Sequence, residues 1–188
     1  MGTISNSGSM NSKPGPLEGS WLLTPKIHAD SRGQFVESFQ KDIFTKQTGL
    51  SVDFIQDNEV VSEYGVVRGL HLQKAPHAQA KLIRVVQGQI YDVAVDLRTD
   101  SSNYGEWFGV ELSADNQSQL FLSKGFAHGY SVLSERAIVQ YKVDAPYNPQ
   151  AESGIRFDDP DLGIDWQVDN PVLSDKDLKL SFLKHLNP

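Results

Sequence analysis

The chain has 188 residues, a length that suits one domain with a sizeable buried core. Asp and Glu number 24 against 17 Lys and Arg; the net charge of -7 argues against a general nucleic-acid or membrane-surface role but leaves room for a small anion held by local arginines. There is no cysteine, which excludes disulfides, a thiolate nucleophile and Cys-ligated zinc together.

The opening stretch MGTISNSGSM is rich in Gly and Ser and ends on a second methionine, Met10. It lacks the charged and apolar regions of a secretory signal, so residues 1–9 read as a leader outside the fold and residues 10–188 as a single domain. No apolar run approaches the length of about 18 residues that spans a bilayer, and a cytoplasmic location is the simplest expectation. SFQKDIFTKQTGLS (38–51) places Phe39, Ile43 and Phe44 at helical spacing, with Gly49 suited to end the helix.

From Phe54 to about Asp144 the pattern changes to short segments with a period of two, broken by Gly, Asn, Asp and Ser; this predicts a β-sandwich or barrel. QIYDVAVDLR puts Tyr91, Val93, Val95 and Leu97 on one face, and AIVQYKVD puts Ala137, Val139, Tyr141 and Val143 on one face with Gln140, Lys142 and Asp144 opposite. Both read as half-buried antiparallel strands. WFGVELSADNQSQLFLSKG reads as two strands around a polar turn at Ala114 to Gln117. After Asn148 the chain is rich in Asp and Pro, and LSDKDLKLSFLKHL predicts a final helix capped by Ser174, with Leu178, Phe182 and Leu186 along one side.

The stretch VVRGLHLQKAPHAQAKLIRVV (66–86) reads as two strands joined by a polar turn, yet it carries Arg68, His71 and Lys81. Strand parity groups Val67, Gly69 and His71 on one face, and Lys81, Ile83 and Val85 on another. His71 and Lys81 thus project with the apolar set, which in a barrel is the direction of the ligand cavity. A lone inward His or Tyr is commonly a hydrogen-bonded core residue. An inward Lys is harder to explain structurally, because burying an isolated ammonium is costly without a charged partner or ligand.

Metal binding competes for the same residues, since His71, His77 and His128 carry imidazole nitrogens. Metal-dependent β-barrels commonly place two histidines two residues apart, followed by a glutamate. Here the second position is Gln73, and Lys81 would repel a divalent ion, so no metal is expected. No Gly-x-Gly-x-x-Gly stretch follows a strand, no Walker-type Gly-Lys-Ser occurs and no Gly-x-Ser-x-Gly elbow is present.

Several separated pieces together resemble one family, the dTDP-4-dehydrorhamnose 3,5-epimerases of the cupin superfamily. They are DSRGQFVES (30–38), FIQDN (54–58), VVRGLHLQ (66–73), AQAKLIRVVQGQIYDVAVDLR (78–98), YGEWFGVELSADNQSQLFLSKGFAHGYSVLSE (104–135), YKVDAPYNPQAE (141–152), DDPDLGIDW (158–166) and LSDKD (173–177). The Arg-Gly-Leu-His, Ala-Gln-x-Lys and Gly-Phe-Ala-His-Gly pieces are specific in combination. The resemblance implies an all-β, double-stranded β-helix (cupin jelly roll) with short flanking helices. It also implies a homodimer in which N-terminal strands extend the partner's sheet, a dTDP-sugar substrate, and no metal or other cofactor.

The implied reaction inverts carbons 3 and 5 of dTDP-4-dehydro-6-deoxy-D-glucose. Both carbons adjoin the 4-ketone, so the chemistry needs a base, charge stabilisation at the carbonyl oxygen, and an acid on the opposite face. By resemblance His71 is the base; an unperturbed imidazole titrates at about 6.5, which suits that task. Asp177 matches the aspartate that orients the histidine, while its spacing from Ser174 also fits a helix capping box, and the sequence leaves both roles open. Lys81 matches the lysine near the ketone oxygen and Tyr141 the tyrosine that returns the proton. His128 matches a second active-site histidine, with a structural hydrogen bond as the alternative.

Arg32 and Arg68 match contacts to pyrophosphate and sugar, where the guanidinium's bidentate geometry is favoured. Gln56, Asn58 and Glu37 match polar pocket residues, and Tyr147 matches an aromatic beside the thymine or else is a turn tyrosine between Pro146 and Pro149. The chain departs from the family pattern at Gln34, Glu59, Val60 and Pro146, all near the expected pocket. These departures leave open a single-carbon epimerase. A 3,4-ketoisomerase and a non-catalytic sugar- or metal-binding cupin are the further alternatives.

Overall fold

The structure is a computed structural model that describes residues 10–186; the expected leader, residues 1–9, lies outside them. In chain order the elements are β1 (Met10–Pro14), β2 (Ser20–Pro25), β3 (Ile27–Asp30), β4 (Gly33–Val36), α1 (Lys41–Thr48), β5 (Gln56–Glu63), β6 (Val67–Gln73) and β7 (Lys81–Gln87). They continue with β8 (Gln89–Asp96), β9 (Trp107–Ser113), β10 (Gln119–Leu122), β11 (Phe126–Val132), β12 (Arg136–Val143) and β13 (Glu152–Gly154), followed by two 3-10 turns at Asp177–Lys179 and Leu183–His185.

The strands form a six-stranded sheet in the order β1-β2-β10-β7-β12-β5 and a five-stranded sheet in the order β13-β6-β11-β8-β9, with β3-β4 a separate hairpin. From β6 to β12 the chain passes repeatedly from one sheet to the other, which makes the jelly roll expected from the sequence. The strands either side of the Ala114–Gln117 turn therefore do not pair with each other: β9 and β10 lie in different sheets.

The alternating apolar residues fill the space between the sheets. Ile83, Val85, Leu120, Leu122, Ala137 and Val139 from the six-stranded sheet meet Ile90, Ala94, Leu112, Phe126 and Val132 from the other. Both outer faces are covered as well. The segment carrying Ile155, Leu162 and Trp166 packs on Val67, Leu70, Val93 and Val95 behind the five-stranded sheet. Phe44 of α1, fully buried, packs with Leu23, Leu82 and Phe121 behind the six-stranded sheet.

Double coverage corrects one expectation. Tyr91, Val93, Val95 and Leu97 do share a face, but it is the outer one, and β8 is buried on both sides rather than half-buried. Along β12 the expectation holds, with Ala137, Val139 and Tyr141 turned into the sandwich.

Local chemistry sets the bounds of α1. Gln40 accepts a hydrogen bond from the Ile43 N–H through its side chain, and Phe39 packs on Phe44 at a ring separation of 5.9 Å, the hydrophobic staple of a helix start. Gly49 takes φ 75° and its N–H bonds the Thr45 carbonyl, ending the helix where the sequence placed the stop.

The final helix is not formed. Ser174 does accept the Asp177 N–H at 3.1 Å, but only a single 3-10 turn follows. Beyond it the backbone turns to outside partners, Ser181 bridging Ile155 and Leu183 N–H donating to the Asp159 carboxylate, before the second 3-10 turn at Leu183–His185. Leu178, placed on the apolar side of the expected helix, is 42% exposed.

Candidate active site

A cavity of about 410 Å³ opens between the two sheets, lined by Gln56, Asn58, Arg68, His71, Gln79, Lys81, His128, Tyr130, Tyr141, Tyr147 and Glu152. His71 comes from β6 in one sheet and Lys81 from the first position of β7 in the other. The polar turn between them spans the gap, so two residues ten apart face each other, and Lys81 Nζ donates to the His71 carbonyl at 3.3 Å.

Simple parity does not explain how β6 serves this cavity. His128 of β11 stands opposite His71, but Tyr130 stands opposite Arg68, so two steps on β11 match three on β6. The extra residue falls at Gly69–Leu70. Gly69 has φ 115°, and a Cβ there would lie 2.6 Å from Gly129 Cα, so only a glycine permits this approach of the strands. The bulge puts Arg68 and His71 together on the cavity side and turns Val67 and Leu70 to the outer cluster. Val67 and His71, grouped on one face by the sequence reading, thus face opposite ways.

His71 Nε2 lies 2.6 Å from Asp177 Oδ1, and Asp177 is 4% exposed. Burial by itself would raise this carboxyl. The imidazole, the Ser174 hydroxyl and the Gly69 N–H outweigh it and hold Asp177 below the ordinary carboxylate range. Of the two roles the sequence left open, the carboxylate is placed against the imidazole, while of the capping box only the Ser174 half is formed, its hydroxyl accepting the Asp177 N–H.

A second histidine-carboxylate pair stands beside the first. His128 Nε2 lies 2.8 and 3.0 Å from the two oxygens of Asp92, which is fully buried. Asp92 escaped the sequence reading, although a carboxylate between Tyr91 and Val93 in an apolar strand was a signal. It and Glu152 both act on Lys81. Burial pulls the Lys81 ammonium down to about 8, while these two carboxylates pull the other way.

Tyr141 projects from β12 into the same space. Burial raises its hydroxyl, and the Arg68 guanidinium opposes that. Arg68 is anchored at the rim by Nε donating to the Ser62 hydroxyl at 2.9 Å. Gln56 donates to Asn58 at 2.8 Å along the cavity wall. Tyr147 is half exposed at the mouth; its hydroxyl donates to Glu152, which also accepts from Lys176 and so joins this loop to the segment that carries Asp177.

The structure does not bring Arg32 and Glu37 to this cavity. Arg32 sits on the β3-β4 hairpin with its guanidinium forked onto Asp30 at 2.6 Å, and Glu37 is exposed just beyond that hairpin. His77 is likewise remote from His71, paired instead with the Asn148 amide at 3.0 Å. Among the described residues no group of three or more His, Cys, Asp or Glu is placed to hold a metal ion.

The chain matches the dTDP-4-dehydrorhamnose 3,5-epimerase family over residues 14–185. It is 49% identical to the dTDP-4-dehydrorhamnose 3,5-epimerase of Methanothermobacter thermautotrophicus, over 86% of this chain and 88% of that protein. The crystal structure of the Bacillus anthracis dTDP-4-dehydrorhamnose 3,5-epimerase with TDP and PPi bound superposes with a TM-score of 0.90 at 47% identity, covering 93% of this chain and 99% of that one. The dTDP-6-deoxy-D-glucose-3,5-epimerase of Legionella pneumophila, in complex with dTDP-4-keto-L-rhamnose, superposes with a TM-score of 0.91 at 41% identity, covering 95% of each chain. With its jelly roll and its paired histidine-carboxylate cavity, the chain belongs to the dTDP-4-dehydrorhamnose 3,5-epimerase family.

Proposed function

We propose that this isomerase converts dTDP-4-dehydro-6-deoxy-D-glucose to dTDP-4-dehydro-L-rhamnose by inverting carbons 3 and 5. The observation that carries the assignment is the His71-Asp177 pair at 2.6 Å facing the cavity shared with Lys81 and Tyr141. With Asp177 holding a proton on Nε2, the other imidazole nitrogen carries the lone pair and takes the proton from carbon. The electrons pass into the ketone as an enolate, and the Lys81 ammonium stabilises the developing oxyanion. Tyr141 then donates its proton to the opposite face of the same carbon. His71 gives up the abstracted proton to solvent and the Tyr141 phenolate takes one back from solvent, so nothing is consumed. The same cycle at the second carbon completes the reaction, and no step calls for hydride or electron transfer, so no metal or other cofactor is required.

Arg68 at the rim supplies a cation for the diphosphate, Gln56 and Asn58 supply neutral donors along the wall, and the exposed Tyr147 ring offers a face for the base. Asp92 orients His128 as Asp177 orients His71. We also infer a homodimer. Among the described residues the β3-β4 hairpin is paired only with itself, leaves Phe35 67% exposed and carries Arg32 outward, and β1 is an edge strand that a second copy could extend. In that arrangement Arg32 and Glu37 serve the partner's cavity. A cytoplasmic location is the reading that fits a nucleotide-sugar substrate.

The test is turnover of the 4-keto nucleotide sugar in deuterated buffer with a coupled reductase. Deuterium at carbons 3 and 5 is expected, with none in His71→Ala. Exchange at one carbon only would identify a single-carbon epimerase, a 3-keto product would identify a 3,4-ketoisomerase, and wild-type exchange in His71→Ala would remove His71 as the base.

A further inference from the structure

Tyr130 of β11 packs in the apolar core between the sheets and forms part of the cavity lining. The residue is 4% exposed, and its hydroxyl oxygen is buried without a hydrogen-bond partner among the described residues. Arg68, Asp92 and Tyr141 lie near enough to act on that hydroxyl electrostatically, and the Ser62 hydroxyl approaches it as a donor at longer than ordinary hydrogen-bond distance. The Ser62 oxygen also accepts from Arg68 Nε at 2.9 Å. Even with the Ser62 proton turned toward Tyr130, the phenolic O–H is left with no acceptor in ordinary geometry.

A buried hydroxyl with no partner is destabilising, and a phenylalanine would fill the same core space without that cost. The unmet donor therefore points to an acceptor that arrives with the ligand. Its position narrows the choice. Arg68 stands at the exposed rim, where a cation meets the charged diphosphate, whereas the Tyr130 hydroxyl is enclosed beside His128, at a ring separation of 6.4 Å, and near Tyr141. His128 is only 8% exposed, so this side of the cavity is sheltered from water, and a neutral donor there suits a neutral oxygen.

We propose that the Tyr130 hydroxyl donates a hydrogen bond to a sugar oxygen of the bound 4-keto nucleotide sugar, making Tyr130 a substrate-binding and specificity residue of this site. The inference rests on the nucleotide-sugar reading given above. Sugars that lack the matching oxygen leave the donor unmet and are disfavoured, as in any site built to hydrogen-bond a substrate oxygen.

The experiment is Tyr130→Phe, which removes one oxygen and keeps the ring. Three quantities are measured against wild type: kcat/KM for the 4-keto nucleotide sugar, the Kd of dTDP alone by calorimetry, and the thermal midpoint. A loss of about 2- to 12-fold in kcat/KM is expected, the range for one neutral hydrogen bond, with dTDP affinity held within about 2-fold and the midpoint equal or higher. Unchanged kcat/KM overturns the proposal, as does a matched loss of dTDP affinity, which would put the hydroxyl on the nucleotide. A lowered midpoint with a parallel loss of both would show a structural role and overturn it too. If wild type turns over no 4-keto nucleotide sugar, the functional reading and this contact fall together; if wild type turns over normally and only the Tyr130→Phe result is flat, the contact alone falls.

Discussion

Replacing Asp177 by Asn tests the core of the proposed mechanism, because it removes a charge and almost no volume. In the native protein the carboxylate sits 2.6 Å from His71 Nε2 and is nearly inaccessible to water, so its bond to the imidazole is charge-assisted. When His71 takes a proton from carbon, the imidazolium gains the full counter-charge of Asp177; an amide offers only a dipole. A hydrogen bond to a charged group contributes about 1.5–3 kcal/mol, which at about 1.4 kcal/mol per decade is a fall of about 10- to 150-fold in kcat. The substrate does not bind through Asp177, so KM changes little.

The assay is the rate of deuterium uptake at carbons 3 and 5, with KM taken from the coupled reaction. Ser174 still caps the turn in this variant through the backbone N–H of residue 177, so the fold is retained and the thermal midpoint serves as a control. The double variant His71→Ala with Asp177→Asn should be no slower than His71→Ala alone, as residues acting as one unit are not additive. Loss of less than about 3-fold in kcat, or a loss confined to KM, would refute the view that Asp177 acts through the imidazole.

Two further predictions concern charge and packing. Lys81 titrates at about 8 in the folded protein against 10.5 in the unfolded chain, so kcat/KM should fall as pH rises through about 8, and an alkaline limb at 10 or above would contradict its role. In the same window the unfolded chain holds a proton that the native state has lost, so this group's contribution to stability rises with pH; denaturant titration at pH 8 and 9.5 then separates deprotonation from unfolding. Phe44→Ala should cost about 3–5 kcal/mol of stability by urea titration, because the ring is fully buried between α1 and the six-stranded sheet, and a cost under about 1 kcal/mol would mean that α1 does not close that face.

Much of the molecule was legible in the chain itself. Period-two alternation marked the strand region between Phe54 and Asp144, since an apolar side chain on every second residue is buried by an extended chain packed on one face, but it did not locate β1 to β4 or β13. The spacing of Phe39 and Phe44 with Gly49 fixed α1 for the same kind of local reason. Motifs matched to the family named His71, Lys81, Tyr141 and Asp177; the first three line one cavity, and Asp177 is bonded to the His71 imidazole behind it.

Other features are set by contacts between distant segments. Alternation says that two faces differ but not which one meets the cavity, and because the segment carrying Ile155, Leu162 and Trp166 covers the outer face of the five-stranded sheet, β8 is buried on both sides and its parity was ambiguous. The Gly69 bulge depends on the matching glycine at 129, sixty residues on, so no rule applied to 66–73 alone would turn Arg68 and His71 the same way. The C-terminal helix lost to outward bonds from Ser181 and Leu183 that exist only once β13 and Asp159 are in place. Asp177 shows the division most directly: its spacing from Ser174 is written in the sequence, but its bond to an imidazole 106 residues earlier is decided by the fold, because a buried carboxylate must find its partner in space.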